Sequence, residues 1–375
     1  MEFEKKLEIL GGGARYDLSC ACGPPTGRRR SPLDRWVYPA VLPGGRTSPI
    51  LKVLLTNVCE KDCKYCENRC GRDFRRVTFA PKELAAGFME LFRKGTVMGL
   101  FLSSAVSGSA VKIMDRMIAT SEILRRKHAY RGYLHLKILP GAQEAQVERA
   151  GRLATRLSIN LEVPDRKFLH AIAPGKDPDE IAKPLRWIRK YAQTASGFWA
   201  PSGFTTQFMV GAAGESDRDL VKTADLLYGN MDARRVYYSA FQPVPDTPLE
   251  GAPACSLTRE HRLYQTDFLL RKYGFCFDEI VFNDQGNIRE DEDPKTTWAK
   301  SRMDLFPVEI NSAPLELLLR VPGIGPVTAA RIVKIRREAG IRGTEALAKA
   351  GAIVARAAPF LLLGGRRVPC QLDLL

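Results

Sequence analysis

Three cysteines stand where they could do chemistry together. Cys59, Cys63 and Cys66 lie in TNVCEKDCKYCENRC, spaced CxxxCxxC. Iron–sulfur clusters are held by cysteine thiolates, usually four of them. Three thiolates from one short loop can grip three irons of a cubane and leave the fourth iron open. Cys70 follows closely, and a tetrahedral zinc site on all four cysteines is the alternative. Structural zinc ligands usually come as two separated pairs, which argues for the cubane. The histidines, His128, His135, His170 and His261, form no HxxxH or HxE pattern, so zinc-activated water has no support. Cys20 and Cys22 could ligate a second cluster or be small turn residues, and Cys255, Cys276 and Cys370 are isolated.

A second constellation lies near the other end, in INSAPLELLLRVPGIGPVTAARIVKIRR. Ser312 and Pro314 suit the start of a helix, and Leu315, Leu318 and Leu319 give it an apolar stripe. After Val321–Gly325 a second helix continues through Ala329, Ile332 and Val333. Glycines there let the backbone approach a phosphate, and amides at a helix start point at an anion. The segment is similar to helix-hairpin-helix DNA-binding modules, and that resemblance implies Gly323, Gly325, Lys334 and Arg336 as phosphate contacts that position a duplex without reading its bases. TEALAKAGAIVARAAPFLLLG reads as a second, degenerate hairpin.

These groups need a scaffold. Short apolar runs recur at 51–56, 97–102, 133–139, 157–163, 205–210 and 235–241, separated by helix-compatible stretches such as PKELAAGFMELFRKG. Strands alternating with helices predict parallel βαβ units, and six of them suit a partial (βα)6 barrel. In RLSINLEVP, alternation places Ser158, Asn160 and Glu162 on one strand face. Lys137 faces either the barrel or solvent. Residues 257–274 read as a helix capped by Thr258 and ended by Gly274. The expected layout is an irregular extension at 1–50 anchored by Tyr16, Trp36 and Tyr38, the α/β barrel at 51–280, a connector at 281–307 and a small all-α hairpin domain at 308–375.

The CxxxCxxC loop after a first strand, with Tyr65 before its last cysteine, resembles the signature of the radical S-adenosylmethionine (SAM) superfamily. That resemblance implies a 4Fe-4S cluster on Cys59, Cys63 and Cys66, with SAM on the open iron. It implies a SAM pocket at Ser158, Asn160, Glu162, Gly211 and Glu215, because RLSINLEVP and QFMVGAAGES resemble the family's later strand motifs. YYSAFQPVPDTPL resembles the segment bordering adenine. Ser103 and Ser104 stand where the family often has a Gly-Gly-Glu type turn. The second constellation resembles helix-hairpin-helix DNA-binding modules. Together with ARYDLSCAC, these segments resemble radical SAM proteins described as acting in DNA modification or repair. A small electron donor such as flavodoxin or ferredoxin is a further implied partner.

The 375 residues suit one large and one small domain. A net charge of +15 fits a polyanion partner without identifying one. There is neither an apolar run long enough to span a membrane nor a signal-peptide stretch, so the expected location is the cytoplasm. RNA modification, protein or metabolite modification, and non-enzymatic redox sensing on DNA are the alternatives to a DNA-acting enzyme. The sequence does not set the oligomeric state.

Overall fold

In the computed structural model, residues 2–14, 36–41, 46–194 and 199–368 are described. Tyr16, Cys20, Cys22, Arg28–Arg30 and Cys370 lie outside them. Two compact units are present, one of residues 1–215 and 226–260, the other of 216–225 and 261–375.

In the first unit, α1 (Phe3–Gly12), β1 (Val37–Val41) and β2 (Thr47–Leu54) precede the cysteine loop. Then follow α2 (Pro81–Arg93), β3 (Gly99–Ser103), α3 (Ala110–Glu122), β4 (Tyr133–Lys137), α4 (Glu144–Leu153) and β5 (Arg156–Ser158). The series ends with α5 (Arg166–Ile172), α6 (Pro178–Thr194), β6 (Phe204–Val210), α7 (Asp217–Met231) and β7 (Arg235–Ala240). α7 and α8 (Leu257–Tyr273) contribute residues to both units.

Strands β2 to β7 are parallel and pair in sequence order. Right-handed crossovers between sequential parallel strands put every helix on one face, so the sheet curls and its other face becomes an interior. β7 does not pair back to β2, and the sheet is an open, partial barrel. Leu51, Val53, Leu100, Leu102, Leu134 and Leu136 are buried, and both faces of these strands are covered.

The extension at 1–50, expected to be irregular, carries α1 and β1. Leu7 and Leu10 are buried, Gly11 packs on Trp36, and β1 adds an antiparallel edge strand to β2. Trp36 and Tyr38 anchor it: the Trp36 carbonyl accepts from Lys52 N, and the Lys52 ammonium lies 4.8 Å from the Tyr38 ring centroid. The cap of α8 is Ser256 rather than Thr258, because its Oγ accepts from the amides of Thr258 and Arg259. Gly274 has φ +69°, as a helix-ending glycine does.

The second unit holds α9 (Pro294–Ser301), inside the stretch expected to be a connector, then β8 (Val308–Glu309), α10 (Leu315–Arg320), α11 (Pro326–Glu338), α12 (Thr344–Ala350), α13 (Val354–Ala357), β9 (Leu361–Leu363) and β10 (Arg366–Arg367). The three strands form a small sheet in a region expected to be all-α. Its aromatic core runs Phe275–Trp298–Phe306–Phe360 by edge-on contacts, drawing on the supposed connector. α10 begins after Pro314 without a side-chain cap, so Ser312 does not cap it; Leu318 is buried while Leu315 is exposed.

Lys295 is buried beneath the hairpin and donates to the Ile324 carbonyl at 2.5 Å. Burial pulls its pKa down to about 7, opposed by Asp293 and assisted by Arg356 and Arg320. An unfolded lysine titrates near 10.4. Between these values the unfolded chain binds more protons, so stability rises with pH above about 7, by at most about 1.4 kcal/mol per pH unit. Below pH 7 the full penalty of the buried ammonium remains. Lys295→Met is expected to flatten this rise in thermal unfolding of the full chain followed on both sides of pH 7.

Candidate metal and cofactor site

The cysteine loop leaves the C-terminal end of β2 and has almost no regular secondary structure, so side chains must satisfy its backbone. Asn57 closes its neck: Nδ2 donates to the Arg75 carbonyl at 3.0 Å, and Oδ1 accepts from Val77 N at 2.7 Å. The Arg76 guanidinium then donates to the carbonyls of Asn57, Asn68, Arg69 and Arg72 at 2.6 to 3.2 Å. It also stacks 3.8 Å from the Phe74 ring centroid. One side chain thus ties residues on both sides of the three cysteines. Within the loop, Cys66 N donates to the Cys63 carbonyl and Cys70 N to the Lys61 carbonyl.

Cys59, Cys63 and Cys66 line one cavity at the C-terminal ends of the strands. Cys70 is not among its lining residues. Among the described residues, no three His, Cys, Asp or Glu side chains are grouped to hold a single metal ion. A cubane spreads its three sulfur ligands more widely than one ion does. The donor set is three thiols with no histidine, with Arg76 near Cys59 and Cys66 and Lys176 near Cys63 and Cys66. Soft thiolates with adjacent cations to offset their charge fit an iron–sulfur cluster. Without metal, burial pushes the Cys63 thiol up despite Lys176, and burial with the Cys63 charge pushes Cys66 up to about 12. Metal binding must therefore displace protons here.

The opposite wall is polar. Ser103, Ser104, Lys137, Asn160, Glu162, Gln207, Ser239 and Gln242 line it, with Leu54, Leu139 and Met209 between them. Lys137 thus faces the barrel interior. Strand β5 stops at Ser158, earlier than alternation predicts, because Thr206 Oγ1 accepts the Leu161 amide and Glu162 adopts φ +68°. That left-handed residue is held by Glu162 N donating to Gln207 O and Met209 N donating to Glu162 O. Its carboxylate enters the cavity and pairs with Lys176 at 2.8 Å. Lys176 Nζ also reaches the Tyr65 hydroxyl at 3.3 Å. Burial alone would lower the Lys176 pKa; Cys63 and Glu162 outweigh it and raise it well above the ordinary value.

Five expected pocket residues therefore separate into two groups. Asn160 and Glu162 line the cavity with the cysteines. Ser158, Gly211 and Glu215 are not among its lining residues. Ser158 sits buried in β5, in register with Lys137. The Glu215 carboxylate is spent on the turn itself, accepting from Gly211 N and from Ala213 N at 3.1 Å. Gly211 has φ +86° and lies against Cys255. Sequence reading missed Lys176 and Arg76. Lys176 follows a Pro-Gly turn, and Arg76 sits in an RR pair, with no periodicity to single out either.

In the second unit, α10, the Val321–Gly325 turn and α11 form a helical hairpin around Leu318, Val321, Ile324, Ala329 and Ile332. Gly323 has φ +79°, and a Cβ there would sit 2.6 Å from the Ile353 carbonyl oxygen. Gly325 precedes α11, whose first residue, Pro326, has no N–H to leave unpaired. Lys334 is exposed. Arg336 is turned inward instead, donating to the carbonyls of Ile310 and Ala313 at 3.0 and 2.6 Å, and so braces α10. α12 and α13 form a second, shorter hairpin, joined to the first by Ile353 N donating to the Gly323 carbonyl.

Residues 53–227 match the family model described as the Radical SAM superfamily. Residues 307–350 match the helix-hairpin-helix motif. No curated protein matches the chain. Similar solved structures include the FeFe-hydrogenase maturase HydG from Carboxydothermus hydrogenoformans, at 12% identity, with 59% of this chain and 51% of that chain covered and a TM-score of 0.48. Methylornithine synthase (PylB) matches at 15% identity, with 59% and 61% covered and a TM-score of 0.47. A radical SAM methyltransferase from Sphaerobacter thermophilus matches at 15% identity, with 58% and 63% covered and a TM-score of 0.44. This chain spans less than two thirds of the length of each. No helix among the described residues is long and apolar enough to cross a membrane.

Proposed function

We propose that this radical SAM enzyme acts on DNA, with the hairpin unit binding the duplex and the barrel cavity carrying out hydrogen abstraction on a base, sugar or lesion. The match of the barrel to the superfamily implies a 4Fe-4S cluster and SAM as cofactors. Bound there, a reduced cluster would supply the electron for cleavage of the SAM sulfonium to methionine and a 5′-deoxyadenosyl radical. The chain's own residues do the rest. Cys59, Cys63 and Cys66 hold the cluster, and Arg76 fixes the loop that carries them. Asn160 and Glu162 line the cofactor side of the cavity, and the leucines and methionine between the polar groups limit water. Ser158, Gly211 and Glu215 lie outside the cavity lining, Ser158 at the end of β5 and the other two in the turn after β6.

The observation that carries the DNA reading is the hairpin with its left-handed Gly323, a start of α11 that no side chain caps, and exposed Lys334. Gly323 and Gly325 would bring backbone to a phosphate, and Lys334 would add sequence-independent attraction. Arg336 would act indirectly, through α10. A base buried in a duplex would have to be extruded, at a few kcal/mol, less at a damaged site.

A second reading gives the cavity a metabolite or protein side chain and makes the hairpin an assembly module. The enclosure of the cavity wholly within the first unit favours it. The deciding experiment is anaerobic incubation of the reconstituted full chain with SAM, dithionite and duplex DNA, with RNA in a parallel arm, followed by nucleoside mass spectrometry. A new nucleoside from DNA supports the first reading. Product from RNA alone replaces DNA with RNA. SAM cleavage with no altered nucleoside and no salt-sensitive DNA binding supports the second.

A further inference from the structure

Lys176 is an ammonium buried where burial needs a reason. Its side chain is 12% exposed and that of Glu162 9%. Buried ion pairs are seldom net stabilising, because desolvation offsets their attraction. The surrounding chain fixes the position of this one. Lys64 N donates to the Ile172 carbonyl at 2.8 Å, Gly175 N to Asp62 Oδ1 at 3.0 Å, and Lys61 Nζ to the Gly175 carbonyl at 3.0 Å. A Cβ at residue 175 would lie 2.6 Å from Asp62 Oδ1, so the strap and the cysteine loop touch backbone to side chain. Residues 172–176 are thereby bound to residues 61–65, between and beside the cysteines. The ammonium then reaches the Tyr65 hydroxyl, one residue before Cys66.

We propose that Lys176 is a positioning residue whose fixed charge sets the reduction potential of the centre held by Cys59, Cys63 and Cys66, with Glu162 as its opposing counterweight. This rests on the cluster assignment made above. A centre bound by three thiolates gains one negative charge when it takes up one electron, and no bond forms or breaks. A fixed cation favours that reduced form and a fixed anion disfavours it. Both groups are shielded from bulk water, where their fields would be screened. Both side chains line the cavity with the three cysteines, and the ammonium also reaches the loop that carries them, at the Tyr65 hydroxyl.

The test uses the anaerobically reconstituted full chain without SAM. Iron and sulfide content are measured first, and then the visible absorbance and EPR signal are titrated with dithionite and redox mediators. Lys176→Met is expected to shift the midpoint to more negative potential by about 60 mV or more, a tenfold change in a one-electron equilibrium. Glu162→Gln is expected to shift it the other way, and Lys176→Arg to stay near the wild type. Opposite shifts are a readout that loop loosening does not give, because water entering a loosened loop moves both variants in one direction. A shift of both in the same direction, or of neither, overturns the proposal. If Lys176→Met retains no iron, Glu162→Gln decides alone: a positive shift supports the proposal and its absence ends it. A wild-type chain that takes up no iron would instead defeat the cluster assignment itself.

Discussion

Cys63→Ala is expected to purify as a folded but colourless protein that binds no iron above background and yields no 5′-deoxyadenosine from SAM and dithionite. The effect is expected to be complete rather than graded. Cys63 is buried on the cavity wall between the other two cysteines in sequence, and among the described residues no fourth cysteine lines that cavity. Cys70, the nearest spare thiol in sequence, does not line the cavity, and its amide is committed to Lys61 O. The fold should survive, because Asn57 and Arg76 hold the loop from both sides of the cysteines. Circular dichroism of the variant checks the fold, and iron analysis with SAM turnover checks the site. Iron bound at wild-type stoichiometry would refute Cys63 as a ligand.

Gly323→Ala is expected to cut affinity for duplex DNA at low salt by tenfold or more, about 1.4 kcal/mol. Two penalties act together. A side chain at φ +79° costs roughly 1–2 kcal/mol. The new methyl would also meet the Ile353 carbonyl at 2.6 Å, where the neighbour is backbone and cannot swing aside. The turn must therefore shift, and the amides before α11 shift with it. Fluorescence anisotropy on the full chain reads the loss, and SAM cleavage without DNA should be unchanged. Lys334→Glu provides the companion measurement. It should weaken binding uniformly across sequences and reduce the salt slope by about one. Arg336→Ala should act differently, lowering stability through α10, because its guanidinium is occupied by the Ile310 and Ala313 carbonyls. Wild-type affinity in Gly323→Ala would remove the hairpin turn from the interface.

The parts legible in the sequence were those with local causes. The CxxxCxxC spacing brings three thiols to one turn of loop, and six apolar runs with helices between them leave few topologies besides a curled parallel sheet. The turn between the two hairpin helices could be read from PGIG alone. Interactions over long sequence distances were not legible. Lys176 meets Tyr65 across 111 positions. β1 joins the sheet because Trp36 and Tyr38 find α1 and Lys52, which no periodicity within 1–50 announces. Glu215 differs in having local partners: a carboxylate five residues after a strand reads as a ligand group, and in the structure it accepts from the amides of its own glycine turn.

The Arg76 clamp bears on what happens after oxygen exposure. Because one guanidinium, rather than the inorganic core, gathers the carbonyls around the cysteine loop, losing iron does not require the loop to unravel. Damaged protein would keep its three sulfurs poised, and rebuilding would demand only reductant, iron and sulfide, with little conformational search. Chains whose metal loops are shaped by the metal itself lack that readiness.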